Sequence, residues 1–157
     1  MIRSARPDDT DTILRFIREL AGYEKLLHEV DASARDLREH LFGARPICEA
    51  LLAEDREPVG FALFFPTYST FKTRACLHLE DLYVTPAARG RGHGKALLHE
   101  LARIAVARGV ARVTWNVLDW NTPAIRFYES LGATVLPDWR VARVEGAAIR
   151  RLLELSS

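Results

Sequence analysis

The stretch LHLEDLYVTPAARGRGHGKALLHELARIAVA, Leu77 to Ala107, decides the fold. It reads as an apolar strand, a loop rich in Gly and Arg, and a helix. Leu77 and Leu79 share one parity, and Leu82 and Val84 share the other. Side chains alternate faces along a strand, so the change of parity requires an inserted residue, a β-bulge at Glu80-Asp81. A bulge bends its strand and breaks its pairing with a neighbour. Both residues at the bulge are carboxylates, which are costly in a central strand unless they face something cationic.

The loop Arg89-Gly90-Arg91-Gly92-His93-Gly94 follows, and the helix starts near Gly92. Glycines allow close backbone approach and positive φ. A helix N-terminus adds free N–H groups and a positive dipole end, while Arg89, Arg91 and Lys95 add full charges. The combination is an anion site of the phosphate-binding kind. A P-loop is excluded, because Arg89 stands where its first Gly belongs and Ala96 replaces the metal-holding Ser/Thr. A dinucleotide fingerprint is excluded too. Counted from Gly90 its third Gly falls on Lys95, and counted from Gly92 it falls on Leu97. What remains is R-x-x-G-x-G at Arg89, Gly92 and Gly94. With the bulged LED strand before it, this resembles the acetyl-CoA pyrophosphate loop of the Gcn5-related N-acetyltransferases.

The chain has 157 residues, enough for one domain with a substantial core, and a single domain spanning 1–157 is expected. Apolar content is 48%, charged content 27% and net charge +1. Nothing in these figures suggests a nucleic-acid groove or a membrane patch. No apolar run approaches the ~20 residues of a membrane span, and no signal-peptide pattern opens the chain. Cys48 and Cys76 lie in strand-like runs and read as small buried hydrophobes with reduced thiols. A cytoplasmic protein is expected.

Around the central stretch the elements follow in order. Met1 to Arg6 reads as a strand, and a helix then carries its apolar stripe on Ile13, Leu14, Ile17, Leu20 and Ala21, ending near Gly22-Tyr23-Glu24. Ser33 and Asp36 read as a capping box for a second short helix stopped by Gly43. Cys48–Glu54 and Val59–Pro66 are strands joined by a turn. The helix after the Gly-rich loop buries Leu97, Leu98, Leu101, Ala102 and Ala105. Arg112 to Val117 alternates as a strand, which should lie parallel to the bulged one because a helix connects them. Thr122-Pro123 reads as a cap and a proline opening a helix striped by Ala124, Phe127, Tyr128 and Leu131. Thr134–Leu136 and Trp139–Val144 read as two closing strands, and 147–155 is undecided between strand and helix. The class is α/β (α+β). Two adjacent parallel strands, one of them bulged, leave a gap at their C-terminal ends, where open sheets bind ligands.

A second block, Trp120-Asn121-Thr122-Pro123-Ala124-Ile125-Arg126-Phe127-Tyr128-Glu129 through Leu131-Gly132-Ala133, is also similar to the acetyltransferase superfamily. Ala21-Gly22-Tyr23-Glu24, Thr67-Tyr68 and Leu79-Glu80-Asp81 resemble most the diamine (spermidine/spermine) acetyltransferases. The resemblance implies the acyl-CoA N-acyltransferase (GNAT) fold: a mixed, mostly antiparallel sheet with a splayed parallel pair and flanking helices. It implies acetyl-CoA as cosubstrate, no metal, and a homodimer. In such a site the Leu82-Tyr83-Val84 backbone holds pantetheine, and Arg89, Gly90, Arg91, Gly92, His93, Gly94 and Lys95 hold pyrophosphate. Asn121, Thr122, Pro123 and Ala124 also serve the cofactor, and Tyr128 protonates the departing thiolate. Tyr23, Glu24, Glu80, Asp81, Thr114, Trp115 and Asn116 line the amine pocket. One departure matters. Polyamine enzymes carry an acid and a tryptophan after this Thr-Tyr, where this chain has Ser69 and Phe71, so a distant third ammonium finds less to bind.

Acetyl transfer needs a neutral amine, a polarised thioester and a protonated leaving thiol. A Lys-like amine has a pKa of ~10.4, so a base must take its proton. Glu80, at the bulge and in the gap, is the candidate base. Asp81 either orients the amine or holds a charge partner. A backbone N–H near Leu82 can polarise the carbonyl. His78 alternates with the carboxylates and is a weaker candidate for shuttling a proton. His99-Glu100 lacks the second His of a zinc-protease helix, and neither a C-x-x-C pair nor a G-x-S-x-G elbow occurs. The expected activity is N-acetylation of a small diamine, polyamine or lysine-like metabolite. A protein or peptide amine acetyltransferase and a non-catalytic acyl-CoA sensor are the alternatives.

Overall fold

The computed structural model describes residues 1–155. They form two compact units, Met1–Asn116 and a second that starts at Val117.

The first unit is built on a five-stranded sheet whose spatial order follows the chain. Its strands are β1 (Ile2–Ser4), β2 (Glu49–Asp55), β3 (Glu57–Ser69), β4 (Arg74–Val84) and β5 (Val113–Thr114). The first four pair antiparallel, and β5 lies parallel to β4 through Leu77↔Val113 and His78↔Thr114. The helices are α1 (Thr10–Tyr23), α2 (Ala34–Phe42) and α3 (His93–Ala107). Ser33 caps α2, its hydroxyl accepting from the Asp36 N–H at 3.1 Å.

Alternation along the strands divides the core between two faces. On one face Leu51, Ala53, Ala62, Phe64, Leu77 and Leu79 pack with Leu97, Leu101 and Ala105 of α3. On the other, Leu52, Phe61, Leu63 and Tyr83 pack with Ile13 and Phe16 of α1 and Leu41 of α2. Two details of the expected stripes are corrected. Phe16 is fully buried and stacks on Phe61, 5.9 Å between ring centroids, whereas Ala102 faces solvent.

The bulge falls where the parity change requires it. Leu79 pairs with Phe64 and Asp81 with Leu63, so Glu80 is the unpaired insertion. Leu82 and Val84 therefore return to the α3 face, packing against the same cluster as Leu77 and Leu79. Asp81 and Tyr83 take the α1 face.

In the second unit, α4 (Thr122–Ser130) is capped by Asn121, whose side chain accepts from the Ala124 N–H at 3.4 Å. Asn121 is thus the cap in place of Thr122, and Pro123 takes the second helical position. The two closing strands do not form. Residues 133–145 have no regular secondary structure, and the undecided segment is helical: α5 (Ala147–Arg151), then a 3-10 turn over Leu152–Leu155.

Candidate active site

The ladder between β4 and β5 ends at His78–Thr114. Beyond it, β4 continues through the bulge to Val84 with no strand on that side among the described residues. The Leu77 N–H donates to the Arg112 carbonyl, 3.1 Å, which fixes which backbone groups face β5. With the bulge counted, the same parity puts the N–H groups of Leu82 and Val84 on this open edge. Strand N–H groups on an open edge beside a Gly-rich loop are suited to an extended amide-bearing ligand. Tyr83 has the opposite parity, so its backbone faces β3, where it pairs with Phe61, and it offers nothing to this edge. Its ring lies against Phe16 in the α1 core and its hydroxyl donates to Glu19 Oε2, 2.9 Å. Burial and that carboxylate push its pKa up to about 12.

The loop has the backbone an anion cradle needs. Gly90 (φ 74°) and Gly92 (φ 84°) are left-handed, and Gly92 caps α3. A Cβ at either would project into open space, the space a bound group would fill. His93 Nε2 in the first turn of α3 is buried without a hydrogen-bond partner. These features fit the pyrophosphate of a coenzyme A thioester. The cations divide. Arg91 pairs with Asp55, the last residue of β2, at 2.5 Å. Arg89 folds back: its Nε donates to the Val84 carbonyl, 3.0 Å, and its guanidinium lies over the rings of Tyr23, 5.0 Å, and Tyr83, 5.8 Å. Arg89 thereby ties the loop to the end of α1.

On the α1 face the bulge gathers carboxylates. Asp81 is largely buried, and its pKa rises to about 7, first through burial and then through repulsion by Glu80 and Glu24. Glu24, at the end of α1, is itself shifted up by partial burial. Glu80 is 55% exposed, and its Oε2 lies 3.6 Å from His78 Nε2. His78 Nδ1 is 3.2 Å from Thr114 Oγ1. The first unit therefore brings together Glu24, Glu80, Asp81, His78 and Thr114, with Tyr23 held nearby through Arg89. Trp115 is not among them, because it packs against the α3-side core. Asn116 is exposed. Ser69 is buried, accepting from Arg112 at 2.6 Å and from the Lys72 N–H at 3.3 Å, so it shapes the β3–β4 turn. Phe71 on that turn is 96% exposed.

His78 and Thr114 are the pair that reading the sequence undervalued. The signal was their facing register across two strands, which only the pairing reveals. Tyr128 belongs to the second unit, half-buried on α4, its ring 5.4 Å from that of Phe127.

Known proteins similar to this chain place it in a family. The profile of the Acetyltransferase (GNAT) family matches residues 12–133. A thialysine N-epsilon-acetyltransferase of Bos taurus is 42% identical over 164 residues, spanning 97% of this chain and 96% of its own. An L-ornithine N5-acetyltransferase of Arabidopsis thaliana is 32% identical, spanning 99% of this chain and 88% of its own. Among solved structures, an integron cassette protein from V. cholerae superposes with a TM-score of 0.79 at 28% identity, covering 98% of this chain and 97% of that one. A family match over most of the chain, joined to relatives that align along nearly all of it, shows that the chain belongs to the GNAT acetyltransferase family and is an acetyl-CoA-dependent N-acetyltransferase.

Proposed function

We propose that the acceptor is the side-chain amine of a lysine-like amino acid or a short diamine. The observation that supports this most is the carboxylate group on the α1 face: Asp81 largely buried, with Glu80 and Glu24 close enough to raise its pKa. Three acids this close together suit a small ligand with more than one positive centre. The curated relatives named for thialysine and ornithine act on amines of this kind, and a human relative is named as spermidine/spermine N(1)-acetyltransferase-like.

Acetyl-CoA supplies the acyl group and the thiol that departs. Gly90, Gly92 and the first turn of α3 would receive its pyrophosphate, and the open β4 edge at Leu82 and Val84 its pantetheine. Glu80 takes a proton from the reacting ammonium, directly or through water. Asp81 and Glu24 hold the second positive centre. Tyr128 donates to the thiolate, since a phenol and a thiol have comparable pKa values. No helix among the described residues is long and apolar enough to cross a membrane, and the reading adds a cytoplasmic homodimer. The exposed Trp139, Val141, Leu152 and Leu153 of the second unit are apolar surface that a second copy would cover.

The test is a panel of amines at equal concentration with acetyl-CoA, following thiol release. Thialysine, ornithine and short diamines should react fastest. Turnover confined to peptide amines would replace this reading, and CoA binding without turnover of any amine would make the chain a sensor.

A further inference from the structure

Resting on Glu80 as the base, we propose that His78 is its proton relay and positioning residue, held in place by Thr114. Three contacts carry this. His78 faces Thr114 across the last rung of the parallel ladder, Nδ1 to Oγ1 at 3.2 Å. Its Nε2 points to Glu80 Oε2 at 3.6 Å. Its ring rests against Phe65 of β3, 5.3 Å between centroids. The imidazole is thus fixed on both sides and aimed at the bulge residue. Glu80 by contrast is more than half exposed, and His78 Nε2 is the ring atom that its carboxylate meets. His78 is 19% exposed, enough to pass a proton to water.

The working tautomer carries its hydrogen on Nδ1, donated to the Thr114 hydroxyl, and leaves the Nε2 lone pair toward Glu80. An ammonium N–H bond breaks and a Glu80 O–H bond forms. That O–H bond then breaks as Nε2–H forms, and Glu80 returns to carboxylate. The imidazolium, lying between a carboxylate and a hydroxyl oxygen, gives the proton to water. The amine nitrogen loses two protons over the whole reaction. One leaves by this route, and the other balances the proton gained by the thiol. No oxidant, metal or further reactant is involved.

The test compares H78A, H78Q and E80Q with wild type, using thialysine and saturating acetyl-CoA at one pH, with imidazole titrated into the assay at constant ionic strength. H78A should lower kcat about tenfold, a modest share of a general-base effect, and leave KM for acetyl-CoA within about twofold. Free imidazole should restore the rate of H78A and leave wild type and E80Q unmoved. H78Q fills the space but accepts no proton, so it should stay slow with a wild-type melting temperature. A merely structural role for His78 would show no imidazole rescue, and that result overturns the relay, as does wild-type kcat in H78A. If H78A does not fold, H78Q decides alone: wild-type kcat overturns the relay, and a tenfold loss with unchanged KM supports it. Wild-type kcat in E80Q is a different failure, because it removes Glu80 as base and the relay with it.

Discussion

Asp81 shows how one inserted residue changes the chemistry of its neighbour. The bulge sends Asp81 to the α1 face, where burial and two nearby acids hold its pKa near 7. In the unfolded chain the same group ionises near pH 4, so between about pH 4 and 7 the folded state binds the extra proton. Stability should therefore fall as pH rises through that window and stay lower above it. D81N should flatten this limb, which melting temperatures from pH 4 to 8 would record; an unchanged slope refutes the assignment. A cationic ligand lowers the pKa again, so amine binding should release a proton near neutral pH, measurable by calorimetry in two buffers of different ionisation heat. Tyr128 is tested at the same scale. Y128F keeps the ring beside Phe127 and removes the hydroxyl, and kcat should fall about a hundredfold with acetyl-CoA affinity unchanged. Undiminished kcat would leave Tyr128 a packing residue.

At the scale of elements, β4 separates fold from function. Deleting Glu80 restores strict alternation, with Asp81 following Leu79 directly, and leaves Leu82 and Val84 on the α3 face. The sheet should therefore form with equal or greater stability. The bend that frees the β4 edge from β5 would be lost, and acetyl-CoA affinity should drop by about tenfold, the cost of one or two backbone hydrogen bonds. E80Q keeps the bulge and should keep the affinity. Calorimetric titration of both variants is the check, and equal affinities would show that the bulge is not what opens the cofactor edge. Residues 134–144 make the converse point. Their alternation reads as strand, yet a strand exists only through its ladder. With Val135, Leu136, Trp139 and Val141 exposed, the pattern is present without a partner.

For the whole molecule, the carboxylates near the end of α1 predict a size preference. Each partly exposed ion pair is worth ~0.5–1 kcal/mol, so a diamine or lysine analogue should exceed a matched monoamine by about two- to fivefold in kcat/KM. E24Q should narrow that gap. Spermine should do worse than the short diamine, because Ser69 is buried in the turn and offers no charge to a distant ammonium. Rates for such a series at low salt decide it, and spermine as best substrate would defeat this account of the pocket. Assembly is the other prediction at this scale. Light scattering at working concentration should give a dimer, and W139E, at a position 76% exposed, should shift it toward monomer. A wild-type monomer would leave that apolar surface unexplained.

Local rules were enough for much of this. Parity fixed the bulge at Glu80-Asp81, since alternation is a property of neighbours in the chain. Glycine spacing fixed the left-handed turns at Gly90 and Gly92, since only a residue without Cβ takes that backbone at little cost. What the chain alone could not decide involved partners distant in sequence. Phe16 is buried because Phe61 and Tyr83 lie across from it. Arg89 caps the Val84 carbonyl and covers Tyr23, 66 positions earlier. His78 meets Thr114 through a ladder that joins strands on either side of α3. Burial, charge coupling and register are sums over such neighbours, and the tertiary structure alone supplies them.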